Sequence, residues 1–126
     1  MTNLRISEAA RLLGVSDDTV RRLVAAGDLT SGTGDGPQTV DGRSLAEHLK
    51  SAAPERGGSS SSARNRFTGL VTAVKVDGVM AQVELQCGPF RVVSLMSSEA
   101  ATDLGLEIGS VAAAVVKSTN VVIEVP

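Results

Sequence analysis

The chain reads as an α+β protein of two small domains. The first is a winged helix-turn-helix, and the second is an OB-like five-stranded β-barrel with one short helix. Three observations predict this. Apolar residues recur at helical spacing from Leu4 to Ala26, interrupted by Gly14. From Asn65 to Val125 the spacing changes to period two, in short runs rich in valine. Between them lies a Pro/Gly/Ser stretch with little to pack. The expected boundaries are residues 1–50, a flexible linker at 51–61, and 62–126.

Composition narrows the function classes. The 126 residues carry a net charge of −2, which excludes a strongly basic coat but not a local basic face. Aromatic residues make up 2%, only Phe67 and Phe90, so both cores must be aliphatic. Cores this small are marginal alone, and a homo-oligomer is expected. Cys87 is the single cysteine, so no internal disulfide forms and a reducing compartment fits. No run approaches the roughly eighteen apolar residues of a membrane span, so the expected location is cytoplasmic, with no membrane partner. One histidine, His48, and one cysteine cannot build a zinc site, and no catalytic triad or carboxylate pair appears. The Gly-rich stretch 31–36 lacks the lysine of a nucleotide loop. The chain is not expected to be an enzyme.

In the first domain, Ser7 is the expected cap of a helix that Gly14 ends. Ser16 caps a second helix with Asp17 and Asp18 in its first turn, and Val20, Leu23 and Val24 form its buried face. Gly27 closes it. The blocks Ile6-Ser7-Glu8-Ala9-Ala10, Leu13-Gly14-Val15-Ser16, Thr19-Val20-Arg21-Arg22-Leu23 and Gly27-Asp28-Leu29 resemble the helix-turn-helix of the MerR and phage-excisionase type. In that family a two-strand wing and another helix follow, which implies a wing at residues 29–40 and a short third helix at Arg43–Leu49. That resemblance implies DNA binding, with Ser16, Thr19, Arg21 and Arg22 the residues that would face DNA. Residues 1–50 hold six basic and seven acidic residues, and the wing segment Thr30–Gly36 has no Arg or Lys. Weak binding by one copy is therefore expected, offset by avidity in an assembly. Reuse of the module for protein contacts is the other reading.

In the second domain, Phe67–Val76 and the run from Val79 to Gln86 flank the hairpin signal Asp77-Gly78. Val79, Ala81, Val83 and Leu85 are the expected inward set. Gly88-Pro89 turns the chain into Phe90–Met96. A short helix opens at Ser97-Ser98-Glu99 and turns Ala101, Leu104 and Leu106 inward. Val111–Val116 follows, apolar on both faces, which points to a subunit interface. Lys117–Asn120 is a turn, and Val121–Val125 is the expected fifth strand. With the helix between strands three and four, the order fits a Greek-key barrel.

Three separated motifs stand in this domain: Ser62-Ala63-Arg64-Asn65, Leu104-Gly105-Leu106-x-x-Gly109, and Val116-Lys117-Ser118-Thr119-x-Val121. In order and spacing they resemble the molbindin (Mop, TOBE-type) domain, and the resemblance spans residues 62–126. It implies binding of molybdate or tungstate, and assembly into a hexamer with sites between subunits. Ser62–Arg64 and Lys117-Ser118 would then come from different chains. The chemistry agrees. A tetrahedral dianion without protons accepts hydrogen bonds only. Arg64 offers a planar fork, Lys117 a compact charge, and Ser62, Ser97 and Ser118 hydroxyls. The family pattern adds the backbones of Ala63 and Asn65. Sulfate is the competing ligand. The implied function is a molybdate-responsive, DNA-binding transcription regulator. The alternative is an intracellular molybdate store whose N-terminal module serves contacts only.

Overall fold

The computed structural model describes residues 2–52 and 61–126. Most of the expected linker, residues 53–60, lies outside the described residues. The chain divides into two compact units, at residues 57 and 58.

The N-terminal unit runs β1 (Asn3–Arg5), α1 (Ile6–Leu13), α2 (Asp17–Ala25), β2 (Thr39–Asp41) and α3 (Gly42–Ala52). Helix α1 starts two residues earlier than expected. Ser7 lies inside its first turn, Arg5 takes the cap position, and the Arg5 amide donates to Glu8 Oε1 at 3.4 Å. Gly14, with φ of 71°, ends α1 in the left-handed conformation that glycine adopts without steric cost. Ser16 caps α2 as expected, accepting from the Thr19 amide at 3.2 Å. Apolar stripes of the helices meet over a core of Ile6, Ala9, Ala10, Val20, Leu29, Val40 and Leu45.

The wing differs from expectation. Its returning limb, β2, pairs antiparallel with β1, while Ser31 makes only an isolated bridge to Val40. Helix α3 begins at Gly42 and continues through Ser51 and Ala52, residues expected in the linker. Asp41 supplies the missed start signal. Its Oδ2 accepts from the Ser44 amide at 3.1 Å, and Ser44 Oγ donates to its carbonyl at 2.8 Å.

The C-terminal unit is a curled antiparallel sheet, as expected for an OB-like barrel. Its strands are β3 (Asn65–Asp77), β4 (Met80–Cys87), β5 (Phe90–Ser97) and β6 (Val111–Val116), in spatial order β5-β4-β3-β6, with α4 (Ser98–Asp103) between β5 and β6. The 13-residue β3 serves two partners. Residues 65–70 pair with β6, residues 70–77 pair with β4, and the register shifts between Val71 and Ala73. Such a bulge bends a strand and raises its twist, which lets one strand pass round the barrel. Val71, Val83, Leu85 and Cys87 form the core. Cys87 packs there as a small hydrophobe.

Gly69 is required by close packing. A Cβ there would meet the Gln86 carbonyl oxygen and stand 2.6 Å from Cys87 Sγ. Gly69→Ala is expected to destabilise the barrel by about 1–3 kcal/mol, read from the denaturation midpoint.

Three expectations for this unit fail. Val79 sits at the hairpin turn and is exposed, because Gly78 and Val79 lie between β3 and β4 and not on a strand. Leu104 is exposed, since α4 ends at Asp103 and only Ala101 is fully buried on it. The third is the fifth strand. After β6 a 3-10 turn at Ser118–Asn120 leads into residues 121–126, which pair with no strand among the described residues. Ile123 and Val125 are 83% and 94% exposed. Strand β6 is correspondingly bare on one face: Ala112 and Ala114 pack on the core, while Val111 and Val115 face outward, exposed.

Candidate functional site

Strand pairing builds the site. Asn65, the first residue of β3, is in register with Val116, the last of β6. Asn65 Nδ2 donates to the Val116 carbonyl at 3.0 Å, closing that end of the ladder. The segment Ser62–Asn65 therefore lies beside Val116-Lys117-Ser118 within one chain, although about fifty residues separate them in sequence. Within one chain the pairing brings the end of the first motif to the start of the second.

Each half is held locally. Arg64 Nη1 donates to the carbonyls of Ser62 and Ser61, at 3.1 and 3.3 Å. The Ala63 amide, expected to face a ligand, donates to Ser61 Oγ at 3.1 Å. On the other side the Asn120 amide donates to the Lys117 carbonyl at 2.9 Å, setting the turn that carries Ser118. Ser62, Arg64, Lys117 and Ser118 are exposed, and neither motif contains a carboxylate. The cluster is cationic and rich in donors, which suits an anion that only accepts.

Ser97 is not part of this cluster. It ends β5, in register with Met80, which follows the far end of β3. The length of β3, about 40 Å along the strand, separates that end from Asn65. Ser97 Oγ accepts from the Ala100 amide at 3.0 Å and so caps α4. Within one chain its role is structural.

The residues expected to face DNA interlock on α2. Ser16 Oγ and Thr19 Oγ1 are 3.0 Å apart, and Arg22 Nη2 donates to Thr19 Oγ1 at 3.1 Å. Arg21 Nη1 donates to Asp18 Oδ1 at 3.3 Å. Beside them runs a cleft of about 670 Å³ lined by Arg5, Ser7, Asp17, Arg21, Asp35 and Gln38 among others. Its two guanidiniums are matched by two carboxylates, so a large phosphate attraction from one copy is not built in.

Sequence reading missed two features. One is the groove between the edge strands β5 and β6, about 450 Å³, lined by Val83, Leu85, Val92, Met96, Leu106 and Ala112 among others. The other is a charged cluster on the outer face. Arg91 Nε donates to Glu84 Oε2 at 3.2 Å and its Nη2 to Oε1, while Gln82 Nε2 donates to Oε1 at 3.3 Å. The Arg91 guanidinium holds the Glu84 carboxyl below the usual carboxylate range, against partial desolvation. A lowered folded-state pKa adds stability above the unfolded value, and that stability is lost as pH falls through the folded one. The barrel is therefore expected to weaken in acid below the usual carboxylate range, and Glu84→Gln to flatten that slope in pH-dependent thermal melts. Among the described residues no three His, Cys, Asp or Glu converge to hold a metal cation, and no helix is long and apolar enough to cross a membrane.

Known protein families match both parts of the chain. The TOBE domain model matches residues 61–123, and a helix-turn-helix domain model matches residues 4–52. Molybdenum-pterin-binding protein 3 of Clostridium pasteurianum is 45% identical over 63 residues, covering 49% of this chain and 93% of that protein. The molybdenum transport protein ModE of Herbaspirillum seropedicae is 41% identical over 63 residues, covering 49% of this chain and 23% of its own length. Among solved structures, the cytoplasmic molybdate-binding protein ModG, with molybdate bound, is 38% identical with a TM-score of 0.52. That match covers 55% of this chain and 50% of ModG. The relatives align over one half of the chain, and the helix-turn-helix accounts for the other. The chain belongs to the TOBE-domain family, with a helix-turn-helix domain on the N-terminal side of the TOBE domain.

Proposed function

We propose that the protein binds molybdate or tungstate through its C-terminal barrel and acts as a molybdate-responsive, DNA-binding transcription regulator. The observation that carries the first half is the Asn65–Val116 pairing, which sets Ser62, Arg64, Lys117 and Ser118 at one end of one ladder without a carboxylate among them. The relatives are named for molybdenum or molybdate, and this donor set fits such an anion. A dianion gripped by exposed side chains alone would be screened by water. A covering surface is therefore needed, and a second copy of the chain supplies it.

The unpaired C-terminus supports that assembly. Residues 121–125 read Val, Val, Ile, Glu, Val, a strand-forming composition that pairs with no strand among the described residues. Strands β5 and β6 are the open edges of the sheet, and the apolar groove lies between them. An exposed apolar edge invites an added strand. The tail of a second copy, laid in this groove, closes the barrel as its fifth strand. Higher assembly to a hexamer then uses the bare outer face of β6. A partner's Ser97 can reach a site in such an assembly, where its own chain's cannot.

The regulatory half rests on the helix-turn-helix domain with Thr19, Arg21 and Arg22 exposed or half-buried on α2. Anion binding that favours one arrangement of the assembly shifts DNA affinity by linkage. A gel-shift titration on the protein's own promoter region, with and without molybdate at moderate salt, tests this. The expected result is a shift whose midpoint moves with molybdate. No shift in either condition overturns the regulator and leaves a molybdate store.

A further inference from the structure

We propose that Arg64, besides contacting the bound anion, ties the entry of the barrel to it. Anion binding would thereby fix the Ser61–Ala63 backbone, the last described segment before the chain leads back to the helix-turn-helix domain. The inference rests on the oxyanion site proposed above and concerns its regulation.

The guanidinium of Arg64 divides its donors between the chain and the ligand side. Arginine presents five N–H groups in a rigid plane. Nη1 is committed to the chain itself, donating to the Ser62 carbonyl at 3.1 Å and the Ser61 carbonyl at 3.3 Å. Among the described residues no partner takes Nε or Nη2, and this edge is the one that grips an oxyanion with two parallel bonds. One rigid group thus has carbonyls on one corner and an edge suited to the anion on another. The Ala63 amide, donating to Ser61 Oγ at 3.1 Å, adds a second tie in the same turn. On the other side Asn65 is anchored to β6 through the Val116 carbonyl, so Arg64 hangs from a fixed point.

In the free protein Ser61, Ser62 and Arg64 are all exposed, and water competes for the carbonyl bonds. An anion held by Lys117, Ser118 and the free edge of Arg64 immobilises the guanidinium. The carbonyl bonds then cost no further side-chain entropy, and the turn becomes rigid with the ligand. Lysine cannot replace this device. Its ammonium is one compact charge that can meet the anion or the carbonyls, but does not hold both in a plane.

The test is backbone amide exchange by NMR on the full chain, with calorimetry on the same samples, for wild type and Arg64→Lys. In wild type, saturating molybdate is expected to slow exchange of the Ala63 amide, which donates to Ser61 Oγ, by about tenfold. In Arg64→Lys at saturating molybdate that amide is expected to exchange as in the free protein, while β3–β4 amides stay protected and report an intact barrel. If wild type binds molybdate without slowing the Ala63 amide, or if Arg64→Lys shows the full wild-type slowing, the strap is overturned and the binding site stands. If wild type binds no molybdate by calorimetry, the site and the strap fail together.

Discussion

Deleting residues 121–126 is expected to reduce the assembled protein to monomers, measured by sedimentation velocity at micromolar concentration. Burying one of the tail's valine or isoleucine side chains contributes about 1.5–3 kcal/mol. A strand laid on an open edge adds ladder hydrogen bonds, and the tail forms no ladder among the described residues. Loss of only two such side chains lowers the association constant by about a hundredfold or more. Ile123→Asp should act in the same direction, because a charge placed in the apolar groove of Val92, Met96 and Leu106 has no partner there. Unchanged sedimentation of the truncated chain would mean that the tail is not the closing strand. The N-terminal unit has its own core, so its helical circular dichroism should survive the deletion.

Arg64→Ala and Lys117→Ala are each expected to weaken molybdate binding tenfold or more. A charge-assisted hydrogen bond contributes about 1.5–3 kcal/mol, a factor of roughly 10 to 150 in the dissociation constant. Both side chains are exposed and neither is in the core, so the melting temperature of the ligand-free protein should move little. Removing both should lose molybdate binding at millimolar ligand. Normal binding by either single variant would remove that residue from the site. A useful contrast is Ser97→Ala. Its hydroxyl caps α4, so it should lower stability by about 1 kcal/mol whatever it does to the anion.

Much of the architecture was legible because local chemistry and tertiary structure agree. Ser16 before Asp17 and Asp18, Gly14 between two apolar stripes, and the alternation of Ala81, Val83 and Leu85 all act within a few residues. The misreadings have a common cause. Val121–Val125 carries a strand pattern, but a strand also needs an edge to pair with, and periodicity does not say which chain provides it. The wing was misplaced for a similar reason: β2 pairs with β1 at the start of the chain, a choice made at long range. Asp41 was overlooked as a cap because the Gly42 that follows reads as a breaker, and α3 begins on that glycine.

The candidate site was legible as a set of residue types and only partly as a place. Ser62–Asn65 and Lys117-Ser118 were singled out by their donors and by family spacing. That they meet in one chain follows from the antiparallel β3–β6 ladder and could not be read from either motif. Ser97 shows the opposite case. Its hydroxyl and its helix start drew attention, but the register of β5 on β4 places it at the other end of the sheet. The Arg64 contacts to Ser61 and Ser62 carry no sequence signal, since any residue offers a carbonyl.

Calorimetric titration of the full chain with molybdate, tungstate and sulfate tests the central claim most directly. Saturable binding of molybdate and tungstate is expected, abolished in the Arg64→Ala, Lys117→Ala double variant, with sulfate weaker. Absence of heat with all three anions, or binding unchanged in the double variant, would contradict it.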